Sequence, residues 1–274
     1  MSDLEEFNRC HPYPDEHGIS SLFRFYKIDH ARLERLSHIF IDRKLYHALP
    51  GQLNDPFECK PHFNWTNSKE QKRRIREHLI KVARDRGRSK KDAEKFVLSN
   101  MSNETFLRET IGSTVLKTFS EIRICSFTSK KENLLFWSHY ADSHKGFCLE
   151  FDATIMPIVS AYKVHYQEDY PLVDYPRPTD ARGFEPALIK SNHWEYEEEF
   201  RTIFVPEDEK QPSNDGESLI LQGNEILNVY FGANTSNDDK EILNELIGNG
   251  PFNPALWNTR LSKTTFSLEF KQCN

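Results

Sequence analysis

The sequence predicts an α+β fold in which a helical hairpin is inserted into a set of strands. Three observations lead there. Short apolar stretches of strand type recur along the chain without regular alternation with helices, so no βαβ series is expected. One long segment, 68–119, reads as helical and concentrates Lys and Arg. The composition, 37% hydrophobic and 28% charged with 12% aromatic residues, is globular and supplies a sizeable core.

Taken in order, residues 1–20 are polar, hold Pro12 and Pro14, and are expected to form an irregular arm before a single domain over 21–274. Leu22-Phe23-Arg24-Phe25-Tyr26 has strand character. Asp29 suits the cap of a helix with Leu33, Leu36, Ile39 and Phe40 on one face. Leu45 to Ala48 reads as a second strand, and Asn54-Asp55-Pro56-Phe57-Glu58 as a tight turn, because Pro fixes its own φ and restricts the residue before it. Helices follow over 68–119, broken at Gly87-Arg88-Ser89. Ile122 to Phe127, Phe147 to Phe151 and Ala161 to Gln167 read as strands, with a helix over 132–142 ended near Gly146 in a left-handed conformation. Loops are expected over 171–178 and 206–217, strands over 218–221, 226–231 and 265–270, and a helix over 237–247.

Several function classes are excluded on expectation. No apolar run of about 18 residues is present, so no membrane-spanning helix is expected. The acidic start lacks the apolar core of a signal peptide. Five widely spaced cysteines contain no Cys-x-x-Cys pair, which fits a reducing cytoplasm. The net charge of −6 gives no global case for nucleic acid, whereas Lys72, Arg73, Arg74 and Arg76 form a local basic patch that could meet one.

The densest chemistry lies in Trp194-Glu195-Tyr196-Glu197-Glu198-Glu199-Phe200-Arg201, which runs into the apolar Ile203-Phe204-Val205. Read as a strand from Trp194, it places Glu197, Glu199 and Arg201 on one face. Like charges that close require a cation or a proton to offset them, so this stretch is a site candidate. Arg24, the Asn54–Glu58 turn and the Ser126–Asp142 stretch are its expected partners. The same charges are also compatible with a solvated strand end.

Three stretches carry a resemblance: Phe23-Arg24-Phe25-Tyr26 followed by Asn54-Asp55-Pro56-Phe57-Glu58; Cys125-Ser126-Phe127 followed by Trp137-Ser138-His139-Tyr140-Ala141-Asp142 and Gly146; and Trp194-x-Tyr196-Glu197-x-Glu199-x-Arg201. Together they resemble a bacterial domain-of-unknown-function family, number 2971, over roughly 22–151 and 187–270. The order of the pieces is also similar to the ADP-ribosyltransferases, which implies a split, mostly antiparallel sheet of that type and NAD as substrate. On that resemblance Glu199 would be catalytic with Glu197 as its helper. Arg24 and Ser126 would hold NAD, with Arg201 beside them, and Tyr46, Trp137 or Tyr140 would stack on nicotinamide. The chain lacks the His that begins the first strand in some members, and Ser126, Thr128 and Ser129 do not form a full Ser-Thr-Ser triplet. The resemblance implies a toxin or phage-defence effector, acting on nucleic acid and held in check by a neutralising partner protein. Two other classes stand beside it. One is a nuclease with Asp55, Glu58, Glu197 and Glu199 around a divalent cation. The other is a non-catalytic module that binds nucleic acid or a partner.

Overall fold

The computed structural model describes residues 3–177, 181–206 and 212–273, so parts of the loops expected over 171–178 and 206–217 lie outside the described residues. The first segment is not irregular. Asp3–Cys10 forms helix α1, with acids in its first turn and Arg9 in its last, and buries Phe7 against Tyr162. Strand β1 (Ser21–Tyr26) follows. Asp29 accepts a hydrogen bond from the Ala31 amide and so starts a short 3-10 turn that leads into α2 (Glu34–Phe40), which buries Leu36, Ile39 and Phe40. Then come β2 (Lys44–Tyr46) and β3 (His62–Phe63).

The basic segment forms three helices rather than a hairpin: α3 (Lys69–Asp85), α4 (Lys90–Met101) and α5 (Glu104–Ser120). Ser68, Ser89 and Asn103 each cap one through a side-chain oxygen. Their shared core, which includes Ile75, Leu107, Ile111, Val115 and Phe119, joins the sheet through Ile122 and Ile124.

Next are β4 (Arg123–Thr128), α6 (Leu134–His139) and β5 (Phe147–Asp152). The left-handed residues after α6 are Asp142, Ser143 and His144, not Gly146. Gly146 is required for a different reason: a Cβ there would lie 2.0 Å from the Tyr26 carbonyl oxygen. The expected strand over 161–167 divides into β6 (Tyr162–Lys163) and β7 (His165–Gln167), followed by β8 (Leu172–Val173) and β9 (Ile189–Ser191). The chain closes with β10 (Glu199–Phe204), β11 (Ser218–Ile220), β12 (Ile226–Phe231), α7 (Asn237–Gly248), β13 (Ala255–Leu261) and β14 (Leu268–Gln272).

The fold is α+β. Eight strands form one sheet in the order β14-β13-β12-β5-β1-β4-β10-β6, antiparallel except between β12 and β13. The sheet is therefore continuous rather than split, but it has a seam. β1 pairs with β5 along six residues, yet it meets β4 at a single pair, Phe23 with Thr128. One face of the sheet packs on α2 and α7 through residues such as Leu22, Phe40, Phe147, Phe151, Val229 and Leu243. The opposite face packs Phe23 and Phe25 on α6 through Phe136 and Trp137. β12 and β4 thus lie inside the sheet, and the seam lies near its middle.

Candidate active site at the sheet seam

Where β1 and β4 part, a cavity of about 240 Å³ opens. Arg24 and Ser126 line its two strand walls, the Asn54–Glu58 turn contributes Asn54 and Glu58, and α6 and its C-terminal cap contribute Phe136 and Tyr140. Glu197, Glu199 and Arg201 form its floor with Lys190 of β9. The structure thus brings together Arg24, Asn54, Glu58, Ser126, Tyr140, Glu197, Glu199 and Arg201 of the residues singled out in the sequence.

Glu197 reaches the site by an unexpected route. Asn192–Glu197 is a 3-10 helix, not the start of a strand, and Glu198 then adopts a left-handed conformation at φ 43°. That single residue ends the 3-10 helix. It returns Glu199 to an extended strand while Glu197 and Glu199 still converge on one cation, Lys190. Ser191 starts the 3-10 helix by accepting from the His193 amide.

The charges form a buried network. Arg201, 1% exposed, donates from Nε to Glu199 Oε1 at 2.7 Å and from Nη2 to Glu199 Oε2 at 2.9 Å. Nη2 also meets Glu58, and Nη1 donates to the Ala187 carbonyl at 2.7 Å. Lys190 Nζ donates to Glu197 Oε2 at 2.5 Å and Glu199 Oε2 at 3.0 Å, and lies 3.2 Å from Glu58 Oε1. Three carboxylates therefore face two fixed cations. Burying an ion is costly unless it is matched in this way.

The two acids of the motif are driven in opposite directions. Burial alone would raise Glu199, but Arg201 and then Lys190 hold its carboxyl well below the usual carboxylate range. For Glu197 burial dominates over the attraction of Lys190, and the charge of Glu199 adds to it, so its carboxyl is raised. Glu197 is also the less committed of the two. Its Oε1 accepts from the Tyr140 hydroxyl at 2.6 Å, and Tyr140 in turn accepts from Asn54 Nδ2 at 3.0 Å. Both oxygens of Glu199 are bound by Arg201, whereas those of Glu197 are shared between Lys190 and Tyr140. Burial, followed by the hydrogen bond to Glu197, raises the Tyr140 phenol, so it stays a donor.

Three expected participants are elsewhere. Trp137 is fully buried in the α6 core, donates to the Lys131 carbonyl and packs edge-on against Phe25, so it has no face to offer a ligand. Tyr46 stands on β2, which pairs with β11, and its hydroxyl donates to Gln52; it does not line the cavity. Asp55 accepts from the Phe57 amide and builds the turn. Arg24 spans the seam, donating from Nη1 to the Ser126 carbonyl at 2.6 Å.

The four acids of the nuclease arrangement take part in the same network or in the turn beside it. Glu58, Glu197 and Glu199 already face Lys190 or Arg201, and Asp55 is held in its turn. Among the described residues no group of three His, Cys, Asp or Glu side chains is placed to hold a metal ion. The basic patch is likewise offset. Lys72 pairs with Glu104, Arg73 with Glu70 and Glu77, and Arg74 lies 3.9 Å from Asp174, while Arg76 is exposed on α3. No described helix is long and apolar enough to cross a membrane.

No family model, curated protein or solved structure matches this chain. The site therefore stands on its own residues.

Sequence reasoning missed Lys190, the cation at the centre of the network. Its signal was present as one lysine closing the apolar run Ala187-Leu188-Ile189. Tyr166 was also missed; its hydroxyl accepts from the Glu199 amide at 2.9 Å and fixes the start of β10.

Proposed function

We propose that the seam cavity binds the nicotinamide–ribose end of NAD and cleaves its glycosidic bond, in the manner of an ADP-ribosyltransferase. The observation that carries the reading is the convergence of Arg24, Ser126, Tyr140 and Glu197 on one cleft where the sheet parts. A cavity of about 240 Å³ takes one end of a dinucleotide, so the adenosine half would lie outside it. Phe25, Phe136 and Tyr140 offer apolar surface to a planar ring, and the Arg24 guanidinium is the wall group suited to a phosphate or a ribose hydroxyl.

In such a cleavage the bond between ribose C1′ and the ring nitrogen breaks, and its electron pair leaves with neutral nicotinamide. The ribose becomes cationic, and an ionised Glu197 stabilises it more strongly as the charge develops. The acceptor, water or another nucleophile, then bonds to C1′ and gives up its proton to solvent. Tyr140 and Asn54 orient Glu197, while Arg201 and Lys190 keep Glu199 ionised beside it. The paired state of Lys72, Arg73 and Arg74 gives a nucleic-acid acceptor no support.

The test is free nicotinamide released from NAD by wild type and by Glu197→Gln, with thermal unfolding measured in parallel. Release should fall about 10²–10³-fold in the variant with the unfolding temperature little changed. Absence of both nicotinamide release and an NAD-dependent thermal shift in the wild type sinks the reading. An NAD-dependent shift without release would mark the cleft as a binding site only.

A further inference from the structure

A second and larger cavity, about 490 Å³, lies beside the ion network and shares Glu58 and Lys190 with the seam cavity. Three segments wall it: the Asp55–Glu58 turn, the stretch from Gln167 to Pro171, and β9 with the start of the following 3-10 helix, Ile189 to Trp194. Its chemistry differs from that of the seam. Phe57, Tyr170 and Trp194 present aromatic surface, and the lining carries four acidic residues, Asp55, Glu58, Glu168 and Asp169, against one lysine, Lys190. That lysine is already matched, because it contacts Glu58, Glu197 and Glu199.

Two features make this a site rather than a crease. Phe57 is 64% exposed and Tyr170 39% exposed, with ring centroids 6.4 Å apart, so two large rings from distant parts of the chain meet with free surface at the cavity. Trp194 already holds a cation: Lys190 Nζ lies 4.9 Å from its ring centroid. Aromatic rings attract cations through the negative potential of their faces, and most strongly when the cation is poorly hydrated. The carboxylates add a long-range field of the same sign. A small mineral cation would gain little from the rings and would need carboxylates converged on one point, an arrangement absent among the described residues.

We infer that this cavity binds an organic cation whose charge is wrapped in carbon, such as an alkylated ammonium group. The inference stands on the cavity's own residues and does not depend on NAD chemistry at the seam.

Choline and its neutral carbon isostere, 3,3-dimethylbutanol, separate charge recognition from simple apolar filling. Binding is measured by calorimetric titration of the full chain without NAD, in low and high salt. Choline should bind saturably, about tenfold more tightly than the isostere, and more weakly in high salt. Phe57→Ala and Tyr170→Ala, each of which removes an exposed ring, should each weaken choline about threefold or more. No saturable choline binding overturns the inference, as does equal binding of the isostere. Choline affinity unchanged in both alanine variants overturns it as well.

Discussion

Arg201 is the residue on which the others depend. Its guanidinium binds both oxygens of Glu199, reaches Glu58 and donates to the Ala187 carbonyl, all in a site that is almost wholly buried. A matched buried network of this type is close to neutral for stability as a whole, but losing one partner leaves the rest uncompensated. Arg201→Met should therefore destabilise the protein by about 3–5 kcal/mol. The measurement is a urea unfolding curve, and a loss below about 1 kcal/mol, the scale of an exposed pair, would contradict this account. A lysine at 201 would not restore the parent, because an ammonium lacks the planar fork that grips both oxygens of Glu199.

At the scale of the element, the short 3-10 helix and left-handed Glu198 turn a strand-like sequence into a two-sided clamp around Lys190. Glu198 itself is a surface residue, within hydrogen-bonding distance of Ser129 and close to Lys130. Its conformation, not its charge, is what the site uses. Glu198→Val should cost about 1–2 kcal/mol, since a β-branched residue tolerates the left-handed region poorly. Glu198→Gly should come within about 1 kcal/mol of wild type, because lost strain offsets added chain entropy. Thermal unfolding of the two variants checks both, and an equal effect of Val and Gly would remove the conformational role. This element also shows why the sequence was only partly legible. Trp194, Tyr196, Phe200 and Phe204 lie at even spacing, which mimics a strand, and nothing local marks the left-handed residue at 198. The strands at 21–26, 123–128, 147–152 and 226–231 were readable because their apolar runs are dense and bounded. β13 was not, because Trp257-Asn258-Thr259-Arg260 is polar and partly exposed and gains its place by pairing with β12 on one side and β14 on the other. Lys190 was hidden for a similar reason: its partners are brought together by packing, not by spacing.

At the scale of the whole molecule, His11 and His47 are the histidines buried among the described residues, and their hydrogen-bond partners are uncharged. His11 contacts the Lys163 carbonyl and His47 bridges the Leu45 carbonyl and the Thr202 hydroxyl. Burial lowers their pKa values to about 4 and about 3. In the unfolded chain both would protonate near 6.5. Between about pH 6 and pH 4 the unfolded state therefore binds protons that the folded state refuses, and stability falls as pH falls. The slope should approach about 1.4 kcal/mol per pH unit for each histidine. Glu199, held low, contributes the same sign only nearer the ordinary carboxylate range, below this window, whereas Glu197, held high, opposes the trend. Urea midpoints at pH 7 and pH 5 test the sign, and equal midpoints would show that these rings are not held neutral. His11 ties α1 to β6, so the first part to loosen in acid should be the N-terminal helix.

The seam between β1 and β4 carries one more implication. Inside an otherwise continuously paired sheet it amounts to two facing edges, and edges are where backbone groups seek partners. Here the Ser126 carbonyl is satisfied by a side chain, the Arg24 guanidinium, in place of the neighbouring strand. Arg24 is thus a latch as well as a wall of the cavity. Whatever draws that guanidinium away would free a main-chain acceptor at the same moment, so occupancy of the cleft and the cohesion of the two halves of the sheet are mechanically linked.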